Sequence, residues 1–286
     1  MVTADRQRAK VGVGDATRRR SCGMRRLLGA LAFSVIACSG CSIRDLQTTQ
    51  RYAQGLVIVL PGIEGKSVWN FNIARGLADG GVSSAVEIYD WTLALSASWL
   101  VNLTAESRNR EHAVEVARRI QSYQKRYPGR PVHLIGHSGG GGVAVFALEA
   151  LPQTSPITGA LLLAPALSPE YDLRRALRRA RYGIWNFYSA GDVGFLQLGT
   201  TVFGTIDREH GSAAGAVGFR EPFGLSGEGK QLYRTRLHQV SYTERMARSG
   251  HGGGHTGWAS RRFVREWLAP LIYSQAEGAS PAASGG

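Results

Sequence analysis

Six short stretches of the chain have the apolar density of strands: Leu56–Leu60, residues 85–91, a run opening at Val132, and residues 157–164, 183–189 and 237–242. The clearest of them, Leu56-Val57-Ile58-Val59-Leu60, is continuous rather than alternating and contains β-branched residues. A strand needs that pattern when both of its faces are covered, as in a parallel sheet. Between the strands, apolar residues recur at helical spacing. Trp69 through Leu77 reads as a helix closed by Gly80-Gly81. Residues 105–127 read as a longer one, with Ala113, Val116, Ala117, Ile120 and Tyr123 on one face and Glu and Arg on the other. Further helices are expected up to Ala150, over 169–182, and over 258–271, where Phe263, Val264, Trp267 and Leu268 form the apolar stripe. The second of these is basic, with Arg174, Arg175, Arg178, Arg179 and Arg181 set among leucines and alanines. It reads as an exposed helix with solvated arginines, or as one that lies on an anionic surface. Residues 195–236 are glycine-rich and predict no firm element. Strands alternating with helices predict an α/β fold with a doubly wound, mostly parallel sheet.

One junction in this pattern carries chemistry. The apolar run from Val132 ends in Gly136-His137-Ser138-Gly139-Gly140, and a run of small and apolar residues follows. A strand that turns sharply and leaves as a helix would place Ser138 at the tip in a strained backbone conformation. The positions two residues to either side must then lack bulk, and both are glycine. The following helix would point its unpaired N–H groups and partial positive charge at the serine oxygen. Ser138 is therefore a candidate nucleophile; the plain alternative is a Ser-Gly turn that only caps a helix.

With these residues in place, the chain resembles the α/β-hydrolase-fold serine hydrolases of the esterase and lipase kind, over residues 55 to 272. The resemblance implies an acid and then a histidine, in that order, after the serine. Asp192, in the loop after the strand at 183–189, matches the acid; Asp207 is the fallback. Two histidines, His251 and His255, stand in the glycine-rich stretch before the last helix. His255 lies where the family's histidine loop ends and is preferred. His137 reads as structural or pocket-lining, and His210 and His238 have no positional argument. The loop after the first strand, Pro61-Gly62-Ile63, corresponds to the one that supplies an oxyanion-hole N–H in the family. This makes Ile63 and Gly139 the two candidate donors, although Pro61 replaces the histidine common there. Asp90 and Trp91 fall at a strand's C-terminal end, where ligand loops gather, and read as pocket wall or core. Residues 195–236 occupy the place of a lid or pocket loop.

The implied chemistry is acyl transfer to water. Ser138 attacks a carbonyl, His255 takes its proton and Asp192 orients the imidazole, with a small-molecule or lipid ester as substrate and no cofactor. An acyltransferase or thioesterase on the same triad remains open, as does a non-catalytic binding protein, though a dead site has no reason to keep all three residues. A haloalkane dehalogenase or epoxide hydrolase is disfavoured, since those need an aspartate where Ser138 stands. The two loop histidines lack an accompanying carboxylate or cysteine, so no metal site is expected.

Charge refines the picture mainly at the N-terminus. Residues 1–26 hold eight Lys/Arg against two Asp, which is six of the thirteen net positive charges. The rest is moderately basic and has no interleaved basic and aromatic motif for nucleic acid. Arg25-Arg26 precede eleven apolar residues from Leu27 to Ala37, too few to span a bilayer and matching a secretory signal. Val35-Ile36-Ala37-Cys38 resembles a bacterial lipoprotein cleavage box, with Cys41 as the alternative lipidation site and plain secretion as the alternative fate. Met24, directly before the arginine pair, is the expected start of translation. The reading is thus a leader over 1–41, a tether over 42–54, a hydrolase domain over 55–274 and a disordered tail over 275–286, held at the cell envelope by an N-terminal lipid. All three cysteines lie in the leader, so no disulfide is expected within the domain.

Overall fold

The computed structural model describes residues 43–93, 102, 105–193, 205–209 and 211–279. The leader, including Cys38, Cys41 and Met24, lies outside them, as do His210 and all of 194–204. All six stretches form strands: β1 (Leu56–Leu60), β2 (Ala85–Ile88), β3 (Val132–His137), β4 (Gly159–Leu163), β5 (Ile184–Tyr188) and β6 (Leu237–Ser241). They make one sheet in the order β2-β1-β3-β4-β5-β6, and every neighbouring pair is parallel. Every residue of β1, β3 and β4 is buried, which accounts for their continuous apolar character. The edge strand β6, with none of its residues buried, is the one with the weakest apolar signal. Each Val, Leu or Ile taken out of water in these strands contributes about 1.5–3 kcal/mol before conformational entropy is charged.

Helices cover both faces. On one face α1 (Val68–Asp79) packs against the C-terminal helix, which is α-helical at Arg261–Phe263, has a π turn at Val264–Leu268 and continues through Ala269–Ala279. On the other, α2 (Glu106–Arg126) packs on α3 (Gly139–Ala150), and α3 on the short α4 (Arg174–Leu177). The buried face of α2 is Asn109, Ala113, Val116, Ala117, Ile120 and Tyr123. After β2 the chain crosses back over β1 to place β3 on its far side, so the strand order reverses between β1 and β3. In open α/β sheets a crevice for ligands forms at that reversal, beyond the carboxyl ends of the strands. Leu60 and Gly136 are level in the register, so the loops leaving β1 and β3 start side by side.

Four expectations need correction. The basic helix over 169–182 is only the single turn Arg174–Leu177, because the following backbone bends to bridge Ala180 to Ile157. Of its arginines, Arg175, Arg178 and Arg181 are exposed as expected and Arg174 is half-buried, whereas Arg179 is buried with Nε donating to the Leu151 carbonyl. Residues 43–54 are not a loose tether. Leu46 is fully buried, and Arg51 donates to the carbonyls of Val82 and Ser84, at 2.9 Å each. The tail expected from Gln275 continues instead as helix to Ala279, with Gln275 buried. Within 195–236, α5 (Gly227–Arg236) is the crossover helix that leads into β6 rather than part of a lid.

Candidate active site

Ser138 sits between β3 and α3 with φ 54° and ψ −124°. A non-glycine residue in that region costs about 1–3 kcal/mol and persists only where its surroundings hold it. Three backbone hydrogen bonds do so here. Ser138 N–H donates to Leu163 O at 2.9 Å, and Ser138 O accepts from Gly141 N–H at 2.9 Å and Ala166 N–H at 3.1 Å. The flanking glycines are required by close approach. A Cβ on Gly136 would overlap the Gly140 carbonyl, and one on Gly140 would overlap the carbonyls of Leu60 and Pro61. The turn is therefore pressed against the end of β1, and Ser138 is 3% exposed.

The loop after β5 carries a one-turn 3₁₀ segment, Ala190–Val193, and a second one, His255–Ala259, opens at the candidate histidine. These bring Asp192 Oδ2 to 2.7 Å from His255 Nδ1, across 63 positions, with the carboxylate side chain fully buried. Burial disfavours charge on either partner. It pushes the His255 imidazole down to about 4 and the Asp192 carboxyl up. At neutral pH the imidazole is neutral; assigned from its partner, the proton of the dyad lies between Nδ1 and Oδ2 and Nε2 is the acceptor. His137 joins this pair to the turn: its ring lies 4.9 Å from that of His255, and its Nε2 is 3.3 Å from the His255 carbonyl oxygen. The histidine loop is thus docked directly beside Ser138.

The other candidates lie elsewhere. His251 is fully buried, accepts from Gly253 N–H at 3.0 Å through Nδ1, and stands edge-on to Trp258 at 3.9 Å. His238 stacks on Trp185 at 4.5 Å on the edge strand. Asp207 accepts from Ser168 N–H at 3.1 Å and from the Thr205 hydroxyl, and meets no histidine ring among the described residues. No group of three or more His, Cys, Asp or Glu among the described residues is arranged to hold a metal ion.

Ile63 and Gly139 are neighbours in space: a Cβ on Gly139 would stand 2.9 Å from Ile63 Cγ2. Neither N–H is paired with an acceptor of the described residues. Buried polar groups hold the Ile63 loop from behind. Trp91, fully buried, donates Nε1–H to Pro61 O at 2.8 Å, so it belongs to the loop's support rather than to a pocket wall. Asn102 donates to Ile63 O at 3.0 Å and is itself fixed by Leu93 N–H at 3.0 Å and Arg108 at 3.3 Å. Asp90 accepts from Lys66 N–H at 3.1 Å. Of these supports, sequence reasoning overlooks Asn102 and Arg108. The one signal was Asn109, a polar residue four positions before Ala113 on the buried stripe of α2, which donates to Asn102 O at 2.9 Å.

A six-stranded parallel sheet wound in this order with helices on both faces, with a sharp strand-to-helix turn after the third strand, defines an α/β-hydrolase fold. No family model matches the chain, and no curated protein does. Among solved structures it is similar to Est1E from Butyrivibrio proteoclasticus, with a TM-score of 0.48 and 12% identity over 80% of this chain and 91% of that one. It is also similar to LpqC, a poly(3-hydroxybutyrate) depolymerase from Bordetella parapertussis (TM-score 0.46, 15% identity, 83% and 84% covered). A lipase/esterase from Lactobacillus plantarum is a third such structure (TM-score 0.45, 9% identity, 79% and 87% covered).

Proposed function

We propose that the chain is a serine hydrolase that cleaves carboxylic esters. The observation that carries this reading is the buried 2.7 Å contact between Asp192 and His255, docked through His137 beside a serine held at positive φ. In this mechanism Ser138 Oγ adds to the ester carbonyl carbon while its proton passes to His255 Nε2. The carbonyl oxygen becomes an oxyanion held by the N–H groups of Gly139 and Ile63, each such donor being worth about a hundred- to thousandfold in rate. His255 then gives the proton to the leaving alkoxide, and an alcohol departs. Water repeats the sequence on the acyl-enzyme, releasing the acid and restoring Ser138.

The test is direct. Wild type, Ser138→Ala and His255→Ala are compared for labelling by a fluorophosphonate probe and for turnover of p-nitrophenyl esters of short and long chain. Labelling and turnover in wild type, both lost in Ser138→Ala, are expected; a folded wild type that does neither overturns the proposal.

A further inference from the structure

Ser189 directly follows β5 and is 2% exposed. Its hydroxyl donates to Gly253 O at 2.6 Å and accepts from Gly191 N–H at 3.2 Å. The first of these bonds spans 64 positions and ties the loop of Asp192 to the loop of His255, two residues before the imidazole. The backbone of Ser189 is engaged as well. Its carbonyl accepts the Asp192 N–H at 3.0 Å, and its own N–H donates to Gly215 O at 3.0 Å. Asp192 Oδ1 is buried without a partner among the described residues. Among the described residues the carboxylate therefore has no anchor apart from His255, and its loop is held by the backbone that Ser189 ties. His255 is held from the opposite side, through its carbonyl and the His137 ring on β3.

We propose that Ser189 is a positioning residue for the Asp192–His255 pair, a clamp that sets how closely and at what angle the acid meets the base. This rests on the serine-hydrolase reading above. Remove the hydroxyl and Gly253 O and Gly191 N–H lose their shared partner, so the acid loop can draw away while β3 keeps the histidine in place. A longer Nδ1–Oδ2 separation stabilises the imidazolium less, and the base becomes harder to protonate. Among the described residues the titratable groups around His255 are Asp192 from the loop after β5 and His137 from β3, with the Glu64 carboxylate from the loop after β1 acting on His137 in turn. The two loops also meet directly: a Cβ on Gly191 would stand 3.0 Å from Gly253 O.

The experiment uses the enzyme as it exists, with Ser189→Ala, Ser189→Thr and Gly191→Ala beside wild type. Each is read for kcat and KM on one p-nitrophenyl ester, the pH profile of kcat/KM, and the downfield proton resonance of the His255 Nδ1–Oδ2 bond. Displacements of the order of an ångström cost about a hundredfold. Ser189→Ala should accordingly lose roughly ten- to a hundredfold in kcat with KM little changed. Its acid limb should move to lower pH and its downfield resonance upfield, while Ser189→Thr recovers most of kcat. If Ser189→Ala does not fold, Gly191→Ala decides the matter, since a methyl there pushes the same loops apart and should move the limb and the resonance the same way. A folded Ser189→Ala with wild-type kcat, pH profile and resonance overturns the clamp. A wild type with no turnover overturns the hydrolase reading instead, and the resonance still reports on the clamp.

Discussion

Asp192 gives Oδ2 to His255 Nδ1, and its Oδ1 has no partner among the described residues, so from the acid's side the pair is held by one contact. Asp192→Asn keeps the shape but offers an N–H where the carboxylate accepted one. It favours the tautomer whose Nε2 already carries the proton, and that nitrogen cannot take another from Ser138. We expect kcat to fall by about a thousand- to ten-thousandfold with the thermal midpoint little changed; a loss under tenfold would remove the dyad from the mechanism. The order of strands and loops alone nominates Asp192 and His255 as candidates, and the structure brings them together at 2.7 Å. Ser189 and Asn102 cannot. Their hydroxyl and amide act across 64 and 39 positions, and a polar residue that finds its partner that far away leaves no periodic mark.

Strands and long helices were legible because both are set by burial, which repeats along the chain. The exceptions are informative. Residues 169–182 have the spacing of an amphipathic helix, yet backbone pairing between Ala180 and Ile157 draws the segment out of helix after one turn. The Ala- and Gly-rich stretch from Gln275 reads as tail from its composition, yet the helix runs through it to Ala279 with Gln275 buried. Packing also decides a case where propensity points the other way. Gly76 lies inside α1, where alanine would ordinarily favour the helix by roughly 0.5–1 kcal/mol. A Cβ there would stand 2.6 Å from the Arg261 carbonyl and 2.7 Å from Val264 Cβ, both on the C-terminal helix. Such overpacking costs about 1–3 kcal/mol and outweighs the gain. Gly76→Ala should therefore lower the thermal midpoint by several degrees, read by circular dichroism; a rise would mean that the two helices have slack.

For the molecule as a whole, buried histidine governs the response to acid. His133, His137 and His251 are all buried, and desolvation brings each down to about 4. An unfolded imidazole takes its proton near 6.5. Between these values the unfolded chain holds more protons, so stability is full above about 6.5 and is lost as pH falls towards 4. His255 is lowered likewise, which makes four such groups; burial raises three carboxyls, Asp192, Glu149 and Asp207, which act in the opposite sense but are fewer. Thermal midpoints measured at steps from pH 7.5 to 4.5 should fall steadily below about 6.5; a flat profile would show that these rings are wetter than their burial indicates. The order in which the site's parts occur along the chain has a temporal consequence too. Chains fold from the N-terminus as they are made. Ser138 and its elbow belong to the middle of the sheet, whereas His255 follows β6, a strand that pairs with β5 alone and closes the sheet. Under the proposed mechanism a nascent chain therefore has its serine long before it has a base, and during synthesis it is its own inactive precursor.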